Sequence, residues 1–382
     1  MKPSIEKGPI RPPSEARSLL FRVTRNCPWN RCAFCHTYCG KRFELRTVEE
    51  IRGDIRQARD IADRLAELAR LEGNCGRVTQ AVVDTLCAGG EFVGESIQSV
   101  AAWLYYGGET VFLQDADSLV MRTCDLVEVI SCIRETFPSV QQITSYCRSR
   151  TAARKSATDL KSLHDAGLTR IHVGLESGYD PVLQLMNKGV TAAEQVEGGR
   201  KLKAAGFSLC VYVMPGLGGS RWSKEHAEET AGVINLINPD FVRLRSLHVV
   251  EGSALSRMEQ DGSFSPLGDE DVVREIRRFI ACLNGIETTV VSDHVLNLLE
   301  ELEGKLPEAK PRLLAIIDRF FALSPEERLV FRVGRRKGLY RRLDDLADRQ
   351  TFSWLKSIVD QYAGSDADQL EQDLRKAMNG FI

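Results

Sequence analysis

The sequence predicts an α/β protein: a partial (β/α)6 barrel followed by a mostly helical C-terminal region. Six short apolar runs, at 19–23, 111–113, 143–146, 170–175, 208–213 and 241–247, are separated by segments with helical spacing. Repeated strand–helix units form a parallel sheet, because a parallel neighbour is reached only through a crossover. Beyond residue 250 the strand-like runs give way to helical periodicity, and a chain of 382 residues has room for both parts.

Taken in order, residues 1–17 mix prolines with charges of both signs and read as an N-terminal extension without the apolar core of a signal peptide. Run 19–23 is the first buried strand, and a cysteine-rich loop follows it. Thr47, with Glu50 after it, forms a capping-box signature that opens a helix to about 71. Segment 73–108 lengthens the first crossover. Its Gly89, Gly90, Trp103, Tyr105 and Tyr106 fit a surface helical hairpin, with a lid or an oligomer contact as the other readings. Helical spacing at 126–133, 160–166, 193–205 and 224–237 alternates with the remaining strands, so the barrel is expected to span 18–250. Helices are expected at 271–283, 295–303, 312–323, 325–333 and 339–358, in a region 251–382 that caps the barrel mouth.

Net charge is −2, which gives no global pull toward nucleic acid or an anionic membrane. No run approaches the roughly 20 apolar residues of a membrane span. Eleven cysteines, an odd number scattered outside one loop, argue against a disulfide framework and for a reducing, cytoplasmic setting.

Cys27, Cys32 and Cys35 lie on one loop after the first strand, at the end where barrel sheets place function. Thiolates are the ligands that iron–sulfur clusters select. Three on one short loop hold three irons of a cubane and leave the fourth open to bind and reduce something. A structural zinc site and a fully ligated electron-transfer cluster are the alternatives. Each needs a fourth ligand, from His36 or Cys39, and there is no second CxxC pair for a zinc site.

With Phe34 just before the third cysteine, this loop resembles that of radical S-adenosylmethionine (SAM) enzymes. The commonest family spacing puts three residues between the first two cysteines; here there are four, Pro28, Trp29, Asn30 and Arg31. Glu176 at the end of the fourth strand, then Ser177, Gly178 and, twelve positions after the acid, Lys188, is similar to a segment of the coproporphyrinogen dehydrogenase, Elongator and methylthiotransferase types. The resemblance spans roughly 19–247. It implies a [4Fe–4S] cluster on Cys27, Cys32 and Cys35, with SAM bound through its amino and carboxylate groups. Reductive cleavage then yields a 5′-deoxyadenosyl radical that takes a hydrogen atom from substrate. Glu176 and Lys188 would hold SAM, which fits a zwitterionic ligand that needs an acid near its amino or ribose groups and a base near its carboxylate.

Further candidates sit at the other strand ends. Asp115, Ala116 and Asp117 occupy the place where the family has a glycine-rich loop for the SAM amino group; Asp117 is also placed to cap the next helix. Gly107 and Gly108 look like that motif but precede the strand. Tyr146 is carried over as a ribose contact. Cys147 is a candidate hydrogen-atom donor or else a small buried residue. Tyr212 is a candidate adenosine contact. Arg243 and Arg245 share one face of the last strand, and paired cations inside a barrel call for an anion, so Arg245 is a SAM or substrate candidate. His294 is a candidate for proton transfer, with a helix cap by Ser292 or Asp293 as the simpler reading of that segment. Arg332, Arg335, Arg336, Lys337, Arg341 and Arg342 read as a solvated surface, or as a site for RNA or an acidic electron donor.

The expected function is anaerobic radical chemistry on a small-molecule metabolite, with an electron donor of flavodoxin or ferredoxin type. RNA modification, with nucleic acid as partner, is the second expectation. A non-enzymatic iron–sulfur or zinc protein is the third.

Overall fold

The computed structural model describes residues 4–73, 77–362 and 367–378. The strands are β1 (Leu19–Arg22), β2 (Thr24–Arg25), β3 (Glu44–Leu45), β4 (Thr110–Gln114), β5 (Gln142–Cys147), β6 (Leu168–Glu176), β7 (Ser208–Val213), β8 (Phe241–Leu244), β9 (Thr289–Val291) and β10 (Gly304–Lys305). One sheet runs in the order β1-β4-β5-β6-β7-β8-β9-β10. Strands β1, β4, β5 and β6 pair in parallel, as do β7, β8 and β9, while β10 runs antiparallel to β9. This is the α/β sheet of a partial (β/α)6 barrel, prolonged past the six expected strands by β9 and β10. Strands β2 and β3 form a separate antiparallel pair that brackets the cysteine loop.

The helices are α1 (Val48–Leu71), α2 (Gln80–Gly89), α3 (Gly94–Tyr105), α4 (Thr123–Thr136), α5 (Ser149–Arg154), α6 (Ala157–Ala166), α7 (Asp180–Leu185), α8 (Ala192–Ala204), α9 (Gly219–Ile237), α10 (Ala254–Gln260), α11 (Asp269–Cys282), α12 (Lys310–Ala322), α13 (Pro325–Arg336), α14 (Arg349–Tyr362) and α15 (Ala367–Met378). The Thr47–Glu50 capping box is present at α1, which buries Ile51, Ile55, Ala58, Ile61 and Leu65 on one stripe. Helices α2 and α3 pack on α1. No helix among the described residues is long and apolar enough to cross a membrane.

Contacts divide the chain into two compact units, Met1–Arg31, Thr37–Gly174 and Glu197–Leu209 in one, Cys32–His36, Leu175–Val196 and Cys210–Ile382 in the other. Strands β6 and β7 have residues in both. Within the first unit the N-terminal stretch is tied in: Gln114 Oε1 accepts from Gly8 N, and its Nε2 donates to the Ile10 carbonyl. Within the second unit, Ala33, Val182, Met186, Met214, Leu217, Leu255 and Phe264 form one buried apolar cluster.

Three expectations for the C-terminal region are corrected. No helix forms at 295–303. The buried Asn297 side chain there acts as a surrogate backbone: its Oδ1 accepts from Ser246 N and Oγ, and its Nδ2 donates to the Leu244 carbonyl and Ser292 Oγ. That substitution also ends β8 at Leu244, short of the expected 247. The expected helix 339–358 begins only at Arg349, where Asp348 accepts from the amides of Gln350 and Thr351.

The basic cluster is the third correction, because half of it lies inside the protein. Arg332, Arg335 and Arg336 are buried. Asp269 pairs with Arg332 at 3.2 Å and Arg336 at 2.5 Å, Glu300 with Arg335 at 2.8 Å, and Glu371 with Arg332 at 2.6 Å. These arginines join helices rather than face a partner.

Candidate functional site

In the first unit, the ends of β1 and β4 shape the loop that carries Cys27. Asp115, fully buried, accepts from Arg22 Nε at 3.0 Å, Arg22 Nη2 at 2.6 Å and Asn26 N at 2.8 Å, all on Oδ2. Burial pushes its carboxyl above the ordinary range, against the opposing pull of the Asn26 amide and the Arg22 guanidinium. Asn26 and Asn30 take left-handed backbone, at φ 67° and 40°, which asparagine tolerates best after glycine. Their side-chain amides donate to the Arg42 and Lys41 carbonyls at 2.7 and 2.6 Å, so the stretch from Asn26 to Asn30 is held to the segment that leads into β3. The guanidinium groups of Arg31 and Arg148 lie 5.5 and 5.2 Å from the Trp29 ring centre.

Asp117 does not cap the turn after β4; its Oδ2 instead accepts from Thr151 Oγ1 at 2.5 Å. Burial raises its carboxyl to about 6, despite the Thr151 hydroxyl and the Arg148 charge. Ala116 between the two acids is half-buried. Cys147 is buried, and burial, with Asp117 beside it, pushes its thiol well above the ordinary range. It therefore stays protonated and donates to the Arg148 carbonyl at 3.2 Å. The half-buried Tyr146 sets its ring edgewise on Phe112 at 5.1 Å and His172 at 5.8 Å.

The second unit holds Cys32 and Cys35 in one turn, closed by Cys35 N donating to the Cys32 carbonyl at 3.1 Å. Ala33 between them is stitched on both sides: its N–H donates to the Met186 carbonyl, and its carbonyl accepts from Leu255 N. Phe34 packs on the apolar cluster, and the Lys188 ammonium stands 5.5 Å from its ring centre. Lys188 Nζ also lies 3.2 Å from Glu176 Oε1. The acid, the base and the aromatic of the sequence reading are thus together, next to two of the three cysteines.

Glu176 ends β6 with φ 66°, a left-handed backbone that costs a residue with a Cβ roughly 1–2 kcal/mol. Its carbonyl accepts from Met214 N at 3.0 Å. Gly178 follows because nothing larger fits: a Cβ there would stand 2.7 Å from the Glu229 carbonyl oxygen and from Thr230 Cα of α9. Its N–H donates to Thr230 Oγ1 at 2.8 Å.

Farther along the sheet, Tyr212 on β7 is half-buried. Arg243, on the same face as the candidate Arg245, meets its anion within the chain, Asp293 at 2.5 Å. Arg245 is half-buried and has no carboxylate within ion-pair distance among the described residues. His294 is lowered to about 4, first by burial and then by the Arg245 charge. Its Nδ1 accepts from Leu296 N at 3.2 Å, so near neutral pH it is an uncharged ring with its proton on Nε2. Neither Ser292 nor Asp293 caps a helix, since none follows; Ser292 Oγ donates to the Leu299 carbonyl.

Among the described residues, no three His, Cys, Asp or Glu side chains stand close enough together for a bare metal ion. The donor set fits an iron–sulfur cluster by its chemistry: Cys27, Cys32 and Cys35 are outside any disulfide, on one backbone-braced loop. Sequence reasoning missed Arg22 and Asn26, which brace that loop, and Asn297. Nothing in their spacing marks them.

Residues 91–231 match the family model described as the radical SAM superfamily. Curated relatives include the tRNA uridine(34) acetyltransferase of Methanocaldococcus infernus, 23% identical over 293 residues, covering 72% of this chain and 51% of the relative. Elongator complex protein 3 of Homo sapiens is 24% identical over 144 residues, 37% of this chain and 25% of the relative. The chain spans about half the length of the first of these relatives. Among solved structures, methylornithine synthase superposes with a TM-score of 0.42 at 15% identity, over 71% of this chain and 63% of that one. Over residues 91–231 the chain is thus similar to the radical SAM superfamily. Its curated relatives include the Elongator type.

Proposed function

We propose that this protein is a radical SAM enzyme that modifies RNA. The carrying observation is the staple between the cysteine turn and the segment after β6. Ala33, between Cys32 and Cys35, is hydrogen-bonded to Met186, and Lys188 reaches from just beyond it to both Phe34 and Glu176. Any ligand at the Cys32–Cys35 turn is therefore adjacent to one cation, one carboxylate and one ring face, the three contacts that a zwitterionic, aromatic-bearing ligand uses. When bound, the cluster and SAM supply one-electron reductive cleavage to a 5′-deoxyadenosyl radical.

The chain's own part divides by residue. Cys27, Cys32 and Cys35 hold the cluster, and Lys188 pairs with the SAM carboxylate. Glu176 faces its amino or ribose groups, and Phe34, Tyr146 and Tyr212 supply ring contacts. Asp115 Oδ2 is taken up by Arg22 and Asn26, which assigns that oxygen to orienting the loop that presents Cys27. Arg245 remains a cation for a substrate or SAM anion. Electrons come from a cytoplasmic donor of flavodoxin or ferredoxin type.

Support for RNA, over the metabolite expected first, comes from the relatives. The tRNA uridine(34) acetyltransferases match 72% of this chain, and the Glu176–Lys188 stretch falls inside the matched family domain. The test is 5′-deoxyadenosine formation by reduced, cluster-loaded protein with SAM, with and without unmodified tRNA transcript. Faster turnover and an altered nucleoside in digested tRNA are expected. Turnover indifferent to tRNA but stimulated by a small-molecule extract would return the metabolite reading.

A further inference from the structure

At the backbone of Glu176 lies a buried pair that no feature of the sequence marks. His226 on α9 and Glu275 on α11 are 1% and 3% exposed. Glu275 Oε1 accepts from Gly216 N at 2.7 Å and stands 3.0 Å from His226 Nδ1. The other ring nitrogen, Nε2, is 3.4 Å from the carbonyl oxygen of Glu176. The histidine thus links a carboxylate of the C-terminal region to the backbone of the one β-strand residue that takes left-handed φ.

We infer that His226 positions Glu176 through its Nε2 contact to the Glu176 carbonyl, making α9 part of the SAM site. Both neighbours of the ring, the Glu275 carboxylate and the Glu176 carbonyl, are hydrogen-bond acceptors. The carboxylate fixes the ring, and the ring directs Nε2–H at the Glu176 carbonyl. Met214 N donates to the same oxygen. Two donors on one carbonyl define the orientation of the peptide after Glu176, and with it the left-handed turn that aims the Glu176 side chain at Lys188 Nζ. Thr230, one helical turn beyond His226, secures Gly178 by accepting from its N–H. Helix α9 therefore holds this turn at two points, and Glu275 holds the nearer of them. Neither His226 nor Glu275 touches SAM in this account; they are positioning residues, and the inference rests on Glu176 being a SAM contact.

Asparagine and glutamine at 226 separate positioning from mere structural support. The amide of Asn overlays Nδ1 and keeps the bond to Glu275 while losing Glu176. The amide of Gln overlays Nε2 and does the reverse. With cluster-loaded protein and calorimetric SAM titration, His226→Asn is expected to weaken SAM binding about tenfold, the scale of one hydrogen bond, with cluster content unchanged. His226→Gln is expected to stay within about threefold of the parent protein. Glu176→Ala is the control and is expected to weaken binding at least as much as His226→Asn. The opposite order, with Gln damaging and Asn harmless, or equal loss in both, would overturn the inference and leave a purely structural pair. Unchanged binding in both, beside a weakened Glu176→Ala, would overturn it too. If Glu176→Ala itself binds SAM normally, the assignment of Glu176 fails first and the inference falls with it.

Discussion

Cys27→Ala, Cys32→Ala and Cys35→Ala are each expected to lose the cluster absorbance and bound iron of anaerobically reconstituted protein and all SAM cleavage, whereas Cys39→Ala is expected to keep them. The loop is shaped without the thiols. Asn26, Asn30 and Asp115 brace the Cys27 side, and the Ala33 backbone bonds brace the other, so each variant should fold while its cluster fails to assemble. With three ligands the removal of any one leaves two, too few to retain a cubane. Cys39 is exposed and lies past the turn that groups Cys32 with Cys35. Loss of iron in Cys39→Ala, measured beside an unchanged far-UV spectrum, would make the site four-ligand and close the position that SAM needs.

Asp269→Ala is expected to destabilise the protein by about 3–5 kcal/mol, the cost of stripping the partner from buried ions. Arg336 would keep only its bond to the Leu296 carbonyl, and Arg332 only Glu371. Burial pushes the Asp269 carboxyl up, but the Arg336 and Arg332 charges outweigh it and hold the group below its ordinary value. A folded-state value below the unfolded one means the stabilisation is complete above the unfolded value of about 3.9 and fades as pH falls through the folded value. Urea unfolding at neutral pH should show the full difference between parent and variant, and acid should narrow it. A neutral-pH difference under about 1 kcal/mol would mean that the two guanidinium groups reach water once Asp269 is gone.

What the sequence made legible was whatever is encoded locally. The six barrel strands are short apolar runs, and the α1 capping box lies within four residues, so each is readable without its neighbours. The Glu176–Lys188 pair was readable because twelve residues of one strand–loop unit carry it. The failures share a cause in sequence-distant partners. Arg332, Arg335 and Arg336 look like a solvated charge run until Asp269 and Glu300 arrive from earlier in the chain. Segment 295–303 has helical spacing, yet the Asn297 side chain bonds to Ser246 and Leu244 and draws the backbone out of a helix. The Arg243 and Arg245 pair was read as calling for an anion, and Asp293, fifty positions on, is the one that Arg243 meets. His226 is a single histidine on an amphipathic helix, and only the fold brings it to Glu275 and Glu176.

The central claim, that these residues cleave SAM reductively, is tested most directly by chromatography of dithionite-reduced, cluster-loaded protein incubated with saturating SAM and tRNA. 5′-Deoxyadenosine and methionine are expected in equal amounts, rising with time, and absent from Cys32→Ala treated in the same way. A sample with full cluster content and calorimetrically confirmed SAM binding that forms no 5′-deoxyadenosine would contradict the account.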